Sequence, residues 1–145
     1  MRRWIAFAGS IVVASALLSA GPAYPVDVCS MLTPAEAASA LGVPEVNAGA
    51  GANRCIWTPK KYQRGAGTLT VTIEGARDAA KMMNMGTPVN LVGDEAIQTV
   101  VPSTKSSVLH VRKGTTWFVV SVTTVPLDQA EKVQQTVAQA IASRM

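Results

Sequence analysis

Apolar and polar positions alternate most regularly from Thr68 to Glu74, where Leu69, Val71 and Ile73 are interleaved with threonines and Glu74. A period of two sends one side of an extended chain to a core and leaves the other wetter, so this segment predicts a strand. Residues 108–112 and 116–123 are also β-rich and flank Lys113-Gly114, where glycine makes a positive φ cheap; together they predict a hairpin. A two-residue loop at Lys113-Gly114 sets Arg112 opposite Thr115, Leu109 opposite Phe118 and His110 opposite Trp117. Val108, His110 and Arg112 then share a face with Trp117, Val119 and Ser121, while Leu109 and Val111 share the other with Phe118 and Val120. Residues 54–58 and 96–101 read as further strands and 88–92 as extended chain, with Gly93-Asp94 turning between the last two.

The spacing changes to three and four after Pro126, where Leu127, Ala130, Val133, Val137 and Ile141 form one stripe and charged or Gln positions fill the other side. This predicts a closing helix. Near the other end, Thr33-Pro34-Ala35-Glu36 offers an N-cap, a proline at the first helical position and a capping-box glutamate. Leu32 can staple onto Ala37, Ala38 and Leu41 continue the face, and Gly42 and Pro44 end a helix over 34–41. A second short helix is expected over 76–85, packing through Ala79, Ala80, Met82 and Met83. Residues 47–53, rich in Gly, Ala and Asn, read as a loop. The order of elements argues for an α+β fold, an antiparallel sheet of about five strands packed with three helices.

Composition and charge narrow the setting. Met1-Arg2-Arg3, an uncharged apolar run from Trp4 to Leu18 and small residues through Ala23 have the layout of a secretory signal peptide. The run is shorter than the roughly 20 residues that span a bilayer core, so no permanent membrane span is expected. Cleavage is placed after Ala23, with Ala20 as the second choice, giving residues 1–23 as leader and 24–145 as one domain. Losing Arg2 and Arg3 takes the formal net charge from +4 to +2, so the mature surface is only mildly basic. Lys60, Lys61 and Arg64 are its one cluster, read as a solvated loop or a site for an acidic partner. Pro25-Val26-Asp27-Val28 before Cys29 is not a lipobox. Cys29 and Cys55 are the only cysteines, and in an exported chain pairing is the default, with two buried thiols as the alternative.

Candidate chemistry is sparse. His110 is the only histidine, there is no G-x-S-x-G elbow and no H-E-x-x-H, so neither a hydrolytic triad nor a zinc site is expected. Asp94 and Glu95 are adjacent, and neighbours on extended chain point to opposite faces, which does not suit a paired acid and base. Met82-Met83-Asn84-Met85 could offer thioethers to Cu(I) or fill a core flexibly. No stacking and basic pattern suggests nucleic acid. Catalytic residues, metals and cofactors are therefore not assigned. One face of the final hairpin, carrying His110, Arg112 and Trp117, is the candidate surface for a partner, unless the sheet is covered on both sides.

Cys29, Leu32, Thr33, Glu36, Leu41-Gly42, Cys55, Trp57, Gly93-Asp94, Ala96 and Lys113-Gly114 form a pattern of caps, turns and cysteines. In it the chain resembles small exported bacterial proteins and lipoproteins of unknown function. That resemblance implies a sandwich like that of PsbP-type proteins and carries over no catalytic residue. The expectation is a non-enzymatic periplasmic or secreted domain binding a protein or other envelope partner, one version being an inhibitor or immunity-type protein. The alternative is a periplasmic small-ligand or metal carrier with a pocket between sheet and helix.

The capping reading is checked by Thr33→Ala, which removes the acceptor for a free helix amide and should lower stability by about 1 kcal/mol. Urea denaturation reads this as a shifted midpoint at unchanged slope.

Overall fold

The structure is a computed structural model and describes residues 26–75, 81–90, 92–104, 106–123 and 126–145. The leader expected over 1–23 and the start of the helix expected over 76–85 lie outside the described residues. Seven strands form one antiparallel sheet: β1 Val46–Ala50, β2 Arg54–Pro59, β3 Thr68–Glu74, β4 Thr87–Pro88, β5 Glu95–Val101, β6 Ser106–Lys113 and β7 Thr116–Thr123. Their order is β1-β2-β3-β7-β6-β5-β4, two meanders joined where β3 pairs β7 from Thr68↔Thr123 to Glu74↔Trp117. Two α-helices, α1 Pro34–Leu41 and α2 Leu127–Ala142, are defined among the described residues. The α+β antiparallel class holds, with seven strands instead of about five and two such helices instead of three. Of the middle helix, Lys81 and Met82 are helical and 83–85 turn away.

β1 corrects the loop expected over 47–53. Its residues are small and mostly exposed, so side-chain burial cannot specify a strand there. Backbone pairing with β2, from Val46↔Pro59 to Ala50↔Cys55, does so. The turn that remains is tight, with the Gly51 amide donating to the Arg54 carbonyl at 2.8 Å.

The hairpin register is also corrected. Lys113 pairs Thr116, so the loop is Gly114-Thr115, and His110 faces Val119 while Arg112 faces Trp117. A two-residue hairpin loop needs positive φ at its first position, and Gly114 supplies it at φ 58. The slip is two residues along the partner strand, so the face assignments survive.

One sheet face carries Cys55, Trp57, Leu69, Val71, Leu109, Val111, Phe118, Val120 and Val122, all buried in one cluster with Ala37 and Leu41 of α1 and Val137 and Ile141 of α2. α1 is placed as its sequence prescribes. Thr33 Oγ1 accepts from the Glu36 amide at 3.2 Å, and Glu36 Oε2 accepts from the Thr33 amide at 2.9 Å. Gly42 at φ 66 lets the Val43 amide reach back to the Ala38 carbonyl. The Cys29–Cys55 disulfide, Cα atoms 5.0 Å apart, ties the start of this helical region to β2 across 26 residues. A loop of that size is worth about 3 kcal/mol in the chain-entropy account.

α2 departs from its expected stripe at Gln134, which is fully buried where only apolar residues were expected. Its Oε1 accepts from Ser107 Oγ at 3.0 Å and Gln98 Nε2 at 2.9 Å, so a polar network crosses from helix to sheet. A buried amide is tolerated because its partners are supplied by other elements. At its end, Arg144 bonds the Glu36 carboxylate through both terminal nitrogens and gives the Met31 carbonyl a bond of 3.0 Å. The C-terminus is thereby locked onto the start of α1.

Arg144, and then the Thr33 hydroxyl and amide, hold the Glu36 carboxyl at about 2, below its ordinary 4.5. The folded state binds that proton more weakly than the unfolded chain does, so the stabilisation is complete above 4.5 and is lost as pH falls through about 2. Urea midpoints measured across this window should fall with pH. Glu36→Gln should start lower at neutral pH and show a shallower fall.

Candidate functional site

The hairpin residues singled out from sequence come together on one face, but not as an open surface. His110 is 2% exposed and Trp117 6% exposed, Trp117 packing with Ile97 of β5 in a second, smaller cluster. His110 Nδ1 on β6 lies 3.2 Å from Glu74 Oε2 on β3, a polar contact that reaches across the intervening β7. Of the three, only Arg112 reaches solvent in part, and it is engaged: its Nε donates to Glu95 Oε2 at 3.1 Å and its Nη1 to the Gly114 carbonyl at 3.1 Å. His110 and Trp117 are thus buried, and Arg112 is half-buried and engaged.

The same corner explains the Gly-Asp and Lys-Gly motifs as one structural unit. Gly93 has φ 65, and a Cβ there would lie 2.5 Å from the Arg112 carbonyl oxygen, so no other residue fits. The turn it makes lets the Asp94 amide donate to that carbonyl at 2.9 Å and Asp94 Oδ2 accept from the Gly114 amide at 2.7 Å. The Gly114 bond, with Lys113 and Arg112 nearby, holds the Asp94 carboxyl below its ordinary range. Asp94 and Glu95 are therefore occupied in fastening the β6–β7 turn to the start of β5. Among the described residues, no group of three or more His, Cys, Asp or Glu side chains is gathered to hold a metal.

The methionine segment is where the surface departs from expectation. Met83 was expected to pack inward, yet it is 44% exposed and Met85 68% exposed, because the chain leaves the helix after Met82 to enter β4. β4 is only two residues long and covers β5 only at Gln98 and Ile97. Past that cover Val100 and Val101 are exposed as well. Between this short edge and α2 lies a cleft of about 620 Å³, with Met85, Val89 and Val100 on its apolar side and Gln98, Glu131 and Gln135 on its polar side. Gln98 joins the cleft to the buried network, its Nε2 lying 3.2 Å from the Val108 carbonyl, and its Oε1 has no partner among the described residues. A second hollow of about 430 Å³ lies between α1 and α2, but its acid, Glu36, is already committed to Arg144.

Sequence reasoning missed Val100, Val101 and Glu131 as surface of interest. Strand alternation places Val100 and Val101 on opposite faces and gives no sign that both would be uncovered. The shortness of β4 decides that.

No family model, curated protein or solved structure matches the chain.

Burial of the hairpin aromatic carries a stability prediction. Trp117→Ala should cost about 3 to 5 kcal/mol as a core truncation, and Arg112→Ala about 1 kcal/mol through its half-exposed bonds, both read by urea denaturation. Fluorescence of a chain spanning residues 24–145, whose tryptophans are Trp57 and Trp117, should be shielded from iodide.

Proposed function

We propose that the mature chain is a non-enzymatic exported domain that binds a protein partner through the cleft between the β4–β5 edge and α2. One observation carries this reading. Of seven large apolar side chains exposed among the described residues, Met85 and Val100 line the cleft, with Val101 next to Val100 on the uncovered end of β5, whereas Val26, Tyr62 and Met145 do not line it. An apolar patch beside a concavity with a polar rim is the composition of a contact surface, and methionine adapts its shape to a partner at low cost. The polar groups of the final hairpin and its neighbours, His110, Arg112, Asp94 and Glu95, are engaged within the fold, which turns attention to the cleft. Export is supported by the disulfide, since such bonds persist in oxidising compartments, and by the resemblance to small exported bacterial proteins.

A second reading uses the same cleft for a small ligand, because about 620 Å³ falls within the size of small-molecule sites. Among the described residues Glu131 is its one charged lining residue, which would favour a ligand with an apolar body and a basic group.

The test pairs mature protein with a Met85→Asp, Val100→Asp variant. Both positions are exposed, so the thermal midpoint should hardly move, while capture of a stoichiometric partner from envelope extract should weaken at least about tenfold. Equal capture by both proteins would remove the cleft as the binding surface. Native mass spectrometry separates the readings, since a bound small molecule lost from the variant would favour the carrier.

A further inference from the structure

At the opposite end of the sheet from the cleft, β1 is an edge of a different kind. The Lys60 amide donates to the Glu45 carbonyl at 3.0 Å, and the Gly51 amide to the Arg54 carbonyl at 2.8 Å. These two bonds set the alternation of the ladder. Odd-numbered positions turn their amide and carbonyl toward β2, and the backbone groups of Val46, Ala48 and Ala50 point away from the sheet. Natural edges are guarded by charge, proline, a bulge or a cover. β4 at the other edge carries Pro88 and is two residues long. β1 has no charged residue, no proline and an unbroken register over Val46–Ala50, and Asn47 to Ala50 are exposed.

From this geometry we infer that β1 is a homotypic docking edge, at which a second copy of the chain adds its own β1 antiparallel about a twofold axis through Ala48. The occupant follows from parity. In an antiparallel pair, directly opposite residues of the hydrogen-bonded type exchange both their bonds. Centring the pair on Ala48 sets Val46 opposite the second copy's Ala50 and Ala48 opposite itself, so every pairing joins outward-facing groups on both chains. All the outward amides and carbonyls of β1 are then satisfied at once. Asn47 meets Gly49, so no like charges and no bulky side chains oppose each other, and the contact is isologous and closes as a dimer. An unrelated extended peptide would use the same bonds, but nothing in the small side chains of Val46–Ala50 selects one. The contact is independent of the cleft reading, since the two edges are separated by the full width of the sheet.

Sedimentation of the mature protein up to about 1 mM, the weak end of specific association, should show a concentration-dependent dimer. Ala48→Pro deletes an outward amide and leaves the β2 ladder intact, so it should weaken the dimer at least tenfold while the monomer still folds. Asn47→Pro deletes a bond to β2 and should unfold the edge instead. A measurement that does not depend on a proline variant is oxidation of Ala48→Cys, whose position meets itself across the axis at about 5.5 Å between Cα atoms, within reach of a disulfide. It should form a covalent dimer much faster than Tyr62→Cys, a control position that is 91% exposed and so open to oxidant. A monomer at every concentration, a dimer indifferent to Ala48→Pro, or equal cross-linking of the two cysteine variants would each overturn the inference.

Discussion

One apolar sheet face has to be kept from water by two helices, and most of the molecule follows from that constraint. Trp57 and Phe118 are wholly buried, but aromatic residues make up only 5% of the chain, so Val, Leu, Ile and Ala fill the remaining space. Such residues bury well only when their backbone is held close, and three devices hold it here. The disulfide draws the start of α1 onto β2. Glu36, already the capping-box acid of α1, also receives Arg144, which fastens the end of α2 to α1. Gln134 gives α2 a polar anchor on Ser107 and Gln98 at the side of the sheet where α1 does not reach.

The second face is treated differently. Ile97 and Trp117 form a small cluster there, with His110 beside Glu74 and Arg112 beside Glu95. Residues whose chemistry would invite a catalytic or binding assignment are spent on joining strands of the sheet, β6 to β5 through Arg112 and β6 to β3 across β7 through His110. That shifts attention from side-chain chemistry to uncovered surface, and the uncovered surface lies at the two ends of the sheet. One end is a cleft made by a strand too short to cover its neighbour, and the other is a longer strand with no partner strand on its outer side among the described residues.

The elements legible in the sequence are those whose signal is local. α1 was expected over 34–41 and forms Pro34–Leu41, because N-cap, proline, capping-box acid and terminal glycine act within one stretch of chain. β3 and β7 have their expected bounds, Thr68–Glu74 and Thr116–Thr123, because period-two alternation or β-branched density is likewise read along a single strand. The cysteine pair was expected because the chain has only two cysteines, in a sequence whose start reads as an export signal.

What only the tertiary structure decided is what one segment supplies to another. β1 is a strand because β2 offers its backbone bonds, although its own residues read as a loop. The hairpin register turns on which loop position takes positive φ, and Asp94, remote in sequence, grips that same glycine. Gln134 is buried because its partners come from two strands, and Met85 and Val100 are exposed because β4 stops after two residues. Local propensity and periodicity carry the energy of a residue's own backbone and nearest neighbours. Pairing, burial and exposure at the edges depend on groups brought together from elsewhere in the chain, and no window along the sequence contains them.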